Sequence, residues 1–399
     1  MKNFVFISPH FPNTYYRFAK ALKDRGFNVF GVGDSPFCEV KQEVFDSLTE
    51  YVCCFDMDNF DNEINALRYL GYKYGHLNYI ESNNEYWLNK DAYLREIFNA
   101  DVGVKGSEID NYQHKSKMKN FFKKAGAKVA KYIIVDTYEN LENFANEVGF
   151  PIFIKPNKGV GASGDFKISS FDDLKEFYFI KKDPWTEYIC EQFVIGNIVS
   201  FDGITNSKGD VIFCSSCHFP PSISDVLKEQ KDVFYYCAPK VEKDLETIGR
   251  KIVKAFGLQN RCFHIEFFRL TKTIKGLGKK GDLVALEANM RSPGGYTPDL
   301  INFANSVDCY QIFGDSYAYD ENRQYMGHPK YYAGCASRRD SHNYLYSDEE
   351  IISRYSNRIC ATGRYPDVFS GVMGNRYFMA KFTNKKDMED FRKVVNKRG

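Results

Sequence analysis

Short apolar runs alternate with longer amphipathic segments along the first hundred residues of the chain. The apolar runs predict buried strands, and the amphipathic segments predict helices. The predicted strands are residues 4–8, 28–32, 77–81 and 101–105, and the predicted helices are residues 15–25 and 85–99. Because strands alternate with helices, we expect a small doubly wound parallel sheet. Residues 8–13 then form a loop at the carboxyl edge of this sheet, the edge at which such sheets bind ligands.

Strand signals dominate the rest of the chain and carry most of its polar residues of interest. The predicted elements are a lysine-rich helix at 115–125, strands at 132–135, 166–169, 211–219, 331–337 and 376–382, and a terminal helix at 386–396. We expect the tail to form a small α+β module packed on the remainder. The fold class is therefore predicted to be α/β combined with α+β.

A glycine-rich loop follows a predicted strand that ends in Lys155. Gly159, Gly161 and Gly164 lie close together after Lys155-Pro156, and glycine allows the backbone N–H groups of such a loop to turn inward around phosphate oxygens. The loop lacks the Gly-Lys-Ser/Thr ending of a Walker A motif. An ordinary turn is the alternative interpretation of this segment taken alone.

Two predicted strands bring acidic side chains toward one point. In residues 283–291, strand alternation places Glu287, Asn289 and Arg291 on the same face. A hairpin centred near residues 276–277 would put Glu266 opposite Glu287. Carboxylate and amide oxygens suit Mg²⁺, and an arginine beside them suits a transferring phosphoryl group. The alternative is a set of solvated salt bridges, which the presence of Asn within a strand disfavours.

Charge and composition narrow the range of partners. The net charge of +2 gives no electrostatic reason to expect nucleic acid or an anionic membrane as a partner. No apolar run is long enough for a signal peptide or a membrane span, so a cytoplasmic location is expected. Eleven cysteines, an odd number, predict reduced thiols. Residues 214–218 match a haem-attachment motif formally, but the predicted strand would turn its two cysteines to opposite faces.

The ordered set of motifs resembles the ATP-grasp superfamily over about residues 1–315. The set comprises Lys115, Lys155-Pro156 with the glycine loop, Glu191-Gln192-Phe193-Val194, Glu266, and Glu287-Ala288-Asn289-Met290-Arg291. Within this superfamily the chain looks most like carboxylate-amine ligases of the L-amino acid ligase type, because Ser292-Pro293-Gly294-Gly295 follows the arginine. Biotin carboxylase and carbamoyl phosphate synthetase are relatives in the same superfamily.

The resemblance implies a domain organisation and an activity. A Rossmann-like domain (1–112) would precede a small lobe with the glycine-rich loop (113–195), a large lobe with the metal site (196–315) and the α+β module that completes the large lobe (316–399). The two lobes would hold ATP between them. The chain would then activate a carboxylate as an acyl phosphate and transfer the acyl group to an amine, releasing ADP and phosphate.

The resemblance also assigns roles to individual residues. ATP would be bound by Lys115, Lys155, Lys158, Gly159, Gly161, Ser163, Gly164, Glu191, Phe193 and Val194. Glu266, Glu287 and Asn289 would hold two Mg²⁺ ions, for which Mn²⁺ can substitute. Arg291 would be catalytic, and the turn at Gly294 and Gly295 would border the substrate. Independently of the resemblance, Arg338 and Arg339 in the tail are candidates to bind a substrate carboxylate in bidentate fashion, with surface salt bridges as the alternative.

The chain departs from the family pattern at one position, and alternatives remain open. Ile198 stands where many members carry a ribose-binding glutamate, so ribose recognition must differ. A bicarbonate-dependent carboxylase of the biotin carboxylase type is the second hypothesis, although the glutamate that follows the arginine there is absent from residues 292–297. A non-catalytic ATP-binding protein is the third. The expected partners are small carboxylates and amines, amino acids among them, and a homodimer is expected.

Overall fold

The N-terminal part of the chain forms a parallel sheet covered by helices. The computed structural model describes residues 1–159, 164–220 and 231–399. Strands β1 (Asn3–Ile7), β2 (Asn28–Gly33), β3 (Glu50–Cys53) and β4 (Tyr79–Glu81) lie in the order β3-β2-β1-β4. Helices α1 (Tyr16–Lys23), α2 (Gln42–Asp46), α3 (Phe60–Tyr74) and α4 (Leu88–Ile97) connect or follow them. All five residues of β1 are buried because helices cover both faces, which explains its continuous apolar run.

One predicted strand of this region is wrong. Residues 101–105 form bends rather than a strand, and they lead into a 3₁₀ turn at Gly106–Ile109 and the short helix α5 (Asp110–Gln113). Gly103 has a φ of 101°, which breaks an extended run, and Arg95 donates to the carbonyl of Val104, which a sheet partner would otherwise use. The parallel sheet therefore ends at β4.

A small antiparallel sheet forms the next part of the chain. Helix α6 (Lys115–Lys124) and strand β5 (Lys128–Val129) precede it. Its strands β6 (Tyr132–Ile134), β7 (Ile152–Pro156), β8 (Phe166–Ile168) and β9 (Tyr188–Gln192) lie in the order β6-β9-β7-β8. Helices α7 (Tyr138–Val148) and α8 (Phe171–Glu176), the latter continued by a π-helical turn at Phe177–Lys181, pack on this sheet.

The other described strands form a ten-stranded sheet together with β5. Its remaining strands are β10 (Gly196–Thr205), β11 (Val211–Ser215), β12 (Cys217–Phe219), β13 (Phe234–Cys237), β14 (Cys262–Leu270), β15 (Leu283–Asn289), β16 (Tyr332–Arg338), β17 (Ile359–Arg364) and β18 (Arg376–Phe382). They are ordered β17-β18-β16-β13-β12-β10-β14-β15-β5, with β11 also paired to β10. The tail strands thus belong to the same sheet as β14 and β15, and the mixed α/β and α+β fold class is confirmed.

Six helices accompany this sheet in the described part of the chain. They are α9 (Lys243–Phe256), α10 (Thr297–Asn305), α11 (Cys309–Ala318), α12 (Asp348–Arg354), α13 (Asp367–Met373) and α14 (Lys385–Val395). Helices α10 and α11 pack against the N-terminal sheet and the large sheet in one shared apolar core. This core therefore holds the N-terminal sheet against the large sheet through α10 and α11.

The predicted strand at 211–219 is divided in two, and the prediction of reduced thiols is wrong for one pair of cysteines. The strand breaks at Ser216, and Cys217 of β12 then lies directly opposite Cys237 of β13. Their Cα atoms are 4.1 Å apart and their sulfurs form a disulfide. The sequence could not reveal this partner, which lies 20 residues away on another strand. Because Cys217 is bonded to Cys237, the formal haem motif has lost one of its thiols.

A buried group of charges ties the N-terminal sheet to the large sheet. Glu81, at the end of β4, accepts hydrogen bonds from Arg95 of α4 and from Arg261, which precedes β14. Arg261 also donates to the carbonyl of Met290 over 3.1 Å. Asp91 lies 3.7 Å from Arg95. All four charged side chains are buried, so this network holds the backbone next to Arg291 in a fixed place relative to β4.

Candidate active site

Two carboxylates face each other across neighbouring strands. The antiparallel register of β14 and β15 places Glu266 opposite Glu287 and His264 opposite Asn289. This confirms the predicted hairpin pairing. A β-bulge after Glu266 shifts the register of the following pairs by one residue. The regular strand ends at Asn289, so Arg291 lies just beyond it and is not part of the strand face that alternation predicted.

A buried chain of hydrogen bonds holds Glu266 in place. Ser200 donates to Asp202 over 2.5 Å, the Nδ1 of His264 contacts Asp202, and the Nε2 of His264 lies 3.3 Å from Glu266. Burial disfavours a charged imidazole, but the charges and hydrogen bonds of Asp202 and Glu266 outweigh it and raise the pKa of His264 to about 10. Burial likewise opposes ionisation of Glu266, but the His264 cation, with Arg291 and Lys155, lowers its pKa. Glu266 is therefore a carboxylate at neutral pH.

Lys115 reaches this carboxylate pair from a different part of the fold. It begins α6, and its Nζ lies 3.8 Å from Glu287 and donates to the carbonyl of Gly159 over 3.3 Å. The backbone and side chain of Asn157, which follows β7, accept from the N–H groups of Lys115 and Ser116. The helix start, the glycine-rich loop and the carboxylates of the large sheet therefore meet at one point.

Glu191 of β9 is buried between two lysines. Lys119 lies 2.8 Å from one of its oxygens and Lys155 lies 3.2 Å from the other. Burial would raise the pKa of Glu191, but the two lysine charges lower it to about 2. Lys119 was missed by the sequence analysis, although its position four residues after Lys115 on one helix face is a usable signal.

The glycine-rich loop is described only at its ends. Gly159 and Gly164 have φ angles of 151° and 81°, which favour glycine, and Lys158 lies 3.4 Å from Asp110. Gly161 and Ser163 lie outside the described residues. Asp165 follows Gly164 directly. Burial raises its pKa to about 6 against the pull of Lys155 and Lys115, with Glu287 and Glu191 adding to the rise. Asp165 is thus a further carboxylate of this site that the sequence analysis did not select.

The remaining predicted nucleotide contacts lie between strands. β9 ends at Gln192 and β10 begins at Gly196, so Phe193 and Val194 have backbone outside both strands. Lys167 lies over the ring of Phe193 at 4.9 Å. Ile198 is buried within β10, opposite Phe268. Its side chain belongs to the core, and this explains the apolar residue at that position.

Arg291 is paired with a residue of the N-terminal part of the chain. Its Nε donates to Glu85 over 2.9 Å, and its Nη1 donates to the carbonyl of Ser292 over 2.9 Å. Glu85 lies in the segment after β4, 206 residues before Arg291. No sequence pattern indicates a contact over that distance, so Glu85 was not predicted.

An open turn and a group of aromatic rings lie next to Arg291 in the chain. A Cβ atom at Gly294 or Gly295 would meet no heavy atom within 4 Å, which shows open space beside this turn. Tyr296 packs on Tyr377 at 4.9 Å and on Tyr365 at 5.8 Å between ring centroids. Phe11 of the loop after β1 stacks on Phe369 of α13 at 5.6 Å. Contacts of the tail therefore reach both the 294–296 turn and the N-terminal loop.

Arg338 and Arg339 have partners within the protein. Arg338 donates to the carbonyl of Val395 and to Asp348. Arg339 donates to the carbonyls of Lys231, Ser370 and Gly371. These bonds fasten the ends of α13 and α14 to the large sheet, and a role for the two arginines in binding a substrate carboxylate stays a prediction.

Parts of the chain are similar in sequence to known proteins. The family described as carbamoyl-phosphate synthase L chain, ATP binding domain, matches residues 114–182. An L-arginine-specific L-amino acid ligase of Bacillus subtilis is 25% identical over 248 residues, which are 60% of this chain and 57% of the relative. The carbamoyl phosphate synthase large chain of Pasteurella multocida is 29% identical over 141 residues, which are 34% of this chain and 13% of the relative. The chain thus matches less than two thirds of the length of either relative.

Solved structures share the fold over nearly the whole chain. The L-amino acid ligase of Bacillus licheniformis superposes with a TM-score of 0.73 at 16% identity, covering 98% of this chain and 96% of the other. The biotin carboxylase domain of Hydrogenobacter thermophilus 2-oxoglutarate carboxylase gives 0.70 at 15% identity, covering 100% and 90%. The chain therefore contains an ATP-grasp domain: it is related in sequence to an L-amino acid ligase and to carbamoyl phosphate synthase, and it shares its fold with biotin carboxylase.

Proposed function

We propose that this chain is an ATP-dependent carboxylate-amine ligase that forms an amide or peptide bond through an acyl phosphate. One observation carries the proposal: Glu266 faces Glu287 across paired strands, while Lys115 approaches the same carboxylates from the start of α6. Opposite charges from the large sheet and from α6 converge there, as the binding of a metal-bound polyphosphate requires. The L-amino acid ligase relative supports this reaction class.

The nucleotide would lie between the small sheet and the large sheet. Lys115 and Lys155 would neutralise phosphate oxygens, and the glycine-rich loop with Lys158, Gly159 and Gly164 would cover them. Glu191 would accept from the adenine amino group, and the backbone of Phe193 and Val194, which lies outside both strands, would pair with the ring. Glu191 is ionised and buried, so it is a strong acceptor at a fixed position.

Glu266, Glu287 and Asn289 fit a magnesium site. Among the residues the structure describes, no group of three or more His, Cys, Asp and Glu side chains is arranged to hold a metal by itself. Two carboxylates and one amide leave coordination positions for phosphate oxygens and water, which is how Mg²⁺ is usually bound. We propose that these three residues would hold two Mg²⁺ ions, replaceable by Mn²⁺, whose charge would offset that of the phosphates. Hydrogen bonding from His264 keeps Glu266 ionised and oriented for this role.

Arg291 would act at the reacting centre. A carboxylate oxygen of the substrate attacks the γ-phosphorus of ATP, and ADP leaves. The amine then attacks the carbonyl carbon of the acyl phosphate, loses a proton, and phosphate leaves. The guanidinium would stabilise the charge that develops on the phosphoryl and tetrahedral oxygens in these two steps. The open turn at Gly294 and Gly295 would admit the substrate next to it.

A phosphate-release assay tests this proposal. Purified protein is incubated with MgATP and single or paired amino acids, small carboxylates or bicarbonate, and ADP, phosphate and product mass are measured. We expect release of ADP and phosphate that depends on an amino acid, with a product heavier than the acid. Turnover stimulated by bicarbonate alone would instead favour the carboxylase hypothesis. ATP binding without turnover under every condition would favour a non-catalytic protein.

Changing a proposed metal ligand has a defined expected result. In Glu287→Gln the site loses one unit of negative charge next to the metal, so we expect the Mg²⁺ concentration for half-maximal ADP release to rise about 10- to 100-fold. Excess Mg²⁺ or Mn²⁺ should restore part of the rate. The 3.8 Å contact with Lys115 is too long for a hydrogen bond, so its loss adds little. Glu242→Gln, which changes an exposed carboxylate near Arg269, is the control. A loss of rate that metal concentration does not alter would contradict the assignment.

Three further expectations concern the surroundings of the protein. Partners would be small carboxylates and amines, with no nucleic acid. None of the described helices combines the length and the apolar character that a bilayer crossing needs. We also propose a homodimer; the biotin carboxylase domain with the same fold is described as a dimer. A cytoplasmic location stays a prediction.

A further inference from the structure

Helix α6 carries two lysines that reach two different sheets. Lys115, its first residue, lies 3.8 Å from Glu287 of the large sheet. Lys119 lies 2.8 Å from Glu191 of the small sheet. Residues four apart share one face of a helix and are about 6 Å apart along its axis. The helix therefore links a carboxylate proposed to hold the metal with the carboxylate proposed to meet the base.

The ammonium group of Lys119 is buried beside one anion and one aromatic ring. The side chain is 1% exposed, and its Nζ lies 5.3 Å from the ring centroid of Tyr132, which is opposite Glu191 on β6. Burial lowers the pKa of Lys119, and the charge of Glu191 opposes that shift. A cation at this depth costs free energy unless an anion faces it. The contact with Glu191 therefore explains why a lysine is retained there.

Lys155, the other cation beside Glu191, has several anions to serve. Its Nζ lies 3.2 Å from Glu191, and the carboxylates of Glu287 and Asp165 also favour its charged form. In the proposed nucleotide complex Lys155 neutralises phosphate oxygens, whose negative charge exceeds that of a single carboxylate and attracts the lysine more strongly. Lys119 then remains as the cation that balances Glu191.

We propose that Lys119 is a positioning residue that makes the base site selective for a 6-aminopurine, because it holds the Glu191 carboxylate in a fixed direction at the base edge. This inference rests on the proposed nucleotide site. A carboxylate has about four lone-pair positions, so the oxygen beside Lys119 can still accept from a 6-amino group. Without Lys119 the carboxyl group would turn toward Lys155 or take up a proton, and either change removes the acceptor from the base.

The contribution of the amino group can be measured with two matched nucleotides. Purine riboside triphosphate is ATP without the 6-amino group, and it has the same ring nitrogens and the same phosphates. A hydrogen bond to a charged group in a shielded site discriminates by about 10- to 100-fold. We therefore expect the unaltered protein to bind ATP more tightly than purine riboside triphosphate by about that factor.

The test compares the Kd values of the two nucleotides by calorimetry, with Mg²⁺ and without a carboxylate substrate. In Lys119→Met, which keeps the length of the side chain but not its charge, we expect the preference for ATP to fall about 10-fold or more. Lys119→Arg keeps the positive charge and should restore part of the preference. Lys123→Met is the matched control, because Lys123 is exposed one turn later on α6 and lies over the same Tyr132 ring at 5.0 Å. It should leave the preference unchanged.

A double variant separates charge balance from packing. Glu191→Gln keeps an oxygen that accepts from the amino group but needs no cation beside it. Lys119→Met should therefore weaken ATP binding about 10-fold in the unaltered background and less than about three-fold in Glu191→Gln. Damage to the fold would instead weaken both nucleotides together in both backgrounds.

The outcomes for the inference and for the proposed function are distinct. Equal losses in the two backgrounds, an unchanged preference in Lys119→Met, or no preference for ATP in the unaltered protein would overturn the role of Lys119 and leave the ligase function standing. Failure of the unaltered protein to bind either nucleotide would overturn the proposed function and this inference with it.

Discussion

Replacing Arg291 with alanine is expected to lower kcat for ligation by about 10²- to 10³-fold while changing the affinity for ATP by less than about two-fold. The guanidinium lies beyond the end of β15, bonded to Glu85 and to the carbonyl of Ser292. The proposed nucleotide contacts lie on α6, β7 and β9 instead. A group that meets charge only as the reaction proceeds should affect kcat, because it adds little to the binding of ATP. Steady-state ligation and calorimetric ATP binding measure the two quantities.

Two further variants separate charge from geometry at Arg291. Arg291→Lys keeps the positive charge but loses the planar fork of donors, so we expect an intermediate rate. Arg68→Ala removes an exposed arginine of α3 and should change neither quantity. Equal losses of ATP affinity and of kcat in Arg291→Ala would contradict the role given to this residue.

Alternation within two strands was enough to predict the centre of the candidate site. Side chains along a strand point alternately to the two faces of a sheet. The positions of Glu266 and Glu287 in their strands therefore determined which of their neighbours share a face with them. The loop between the strands then determined the register, and the structure pairs the two glutamates as expected. The bulge after Glu266 could not be predicted, since it changes the pairing without changing the apolar pattern.

Contacts between distant parts of the chain were beyond the reach of local patterns. Glu85, Asp202 and Arg261 look like ordinary polar residues of loops and strands, and their partners lie 206, 62 and 180 residues away. The contacts of Glu85 and Arg261 depend on how the N-terminal sheet packs on the large sheet, and that of Asp202 depends on the pairing of β10 with β14. Lys119 differs, because helical spacing relates it to Lys115, and that signal was available in the sequence.

Local signals give the wrong secondary structure where tertiary contacts decide it. Residues 101–105 have apolar positions at the spacing of a strand, but Gly103 and the bond from Arg95 to Val104 keep them irregular. The break at Ser216 has a similar origin. β11 and β12 pair with β10 in one register, with Asp202 opposite Ser215 and Val199 opposite His218. At the break, the hydroxyl of Ser200 accepts from the N–H of Cys217, which interrupts the ladder of backbone hydrogen bonds. Strand propensity describes a residue's fit to a sheet and cannot determine which partner is present.

The buried network around Glu81 should have the largest effect on stability of any site described here. In Glu81→Gln, the two buried arginines Arg95 and Arg261 lose their shared carboxylate, and Asp91 remains as the single buried acid of the group. Arginine stays charged, so the imbalance cannot be relieved by loss of a proton. Breaking a buried ion pair from one side costs about 3–5 kcal/mol, and we expect a loss of that size in the free energy of unfolding of the N-terminal part of the chain.

Fluorescence of the two tryptophans allows this loss to be measured locally. Trp87, at the start of α4, is 7% exposed and Trp185 is 93% exposed, so denaturant changes the surroundings of Trp87 far more. Adding Arg261→Met to Glu81→Gln leaves Asp91 and Arg95 as a balanced pair, and at least half of the loss should be recovered. Glu43→Gln should change the unfolding midpoint very little. Arg261 also donates to the carbonyl of Met290, the residue before Arg291. We therefore expect the double variant to be folded but to catalyse ligation more slowly than the unaltered protein. A double variant less stable than Glu81→Gln would show that packing around Arg261, rather than charge balance, joins the two sheets.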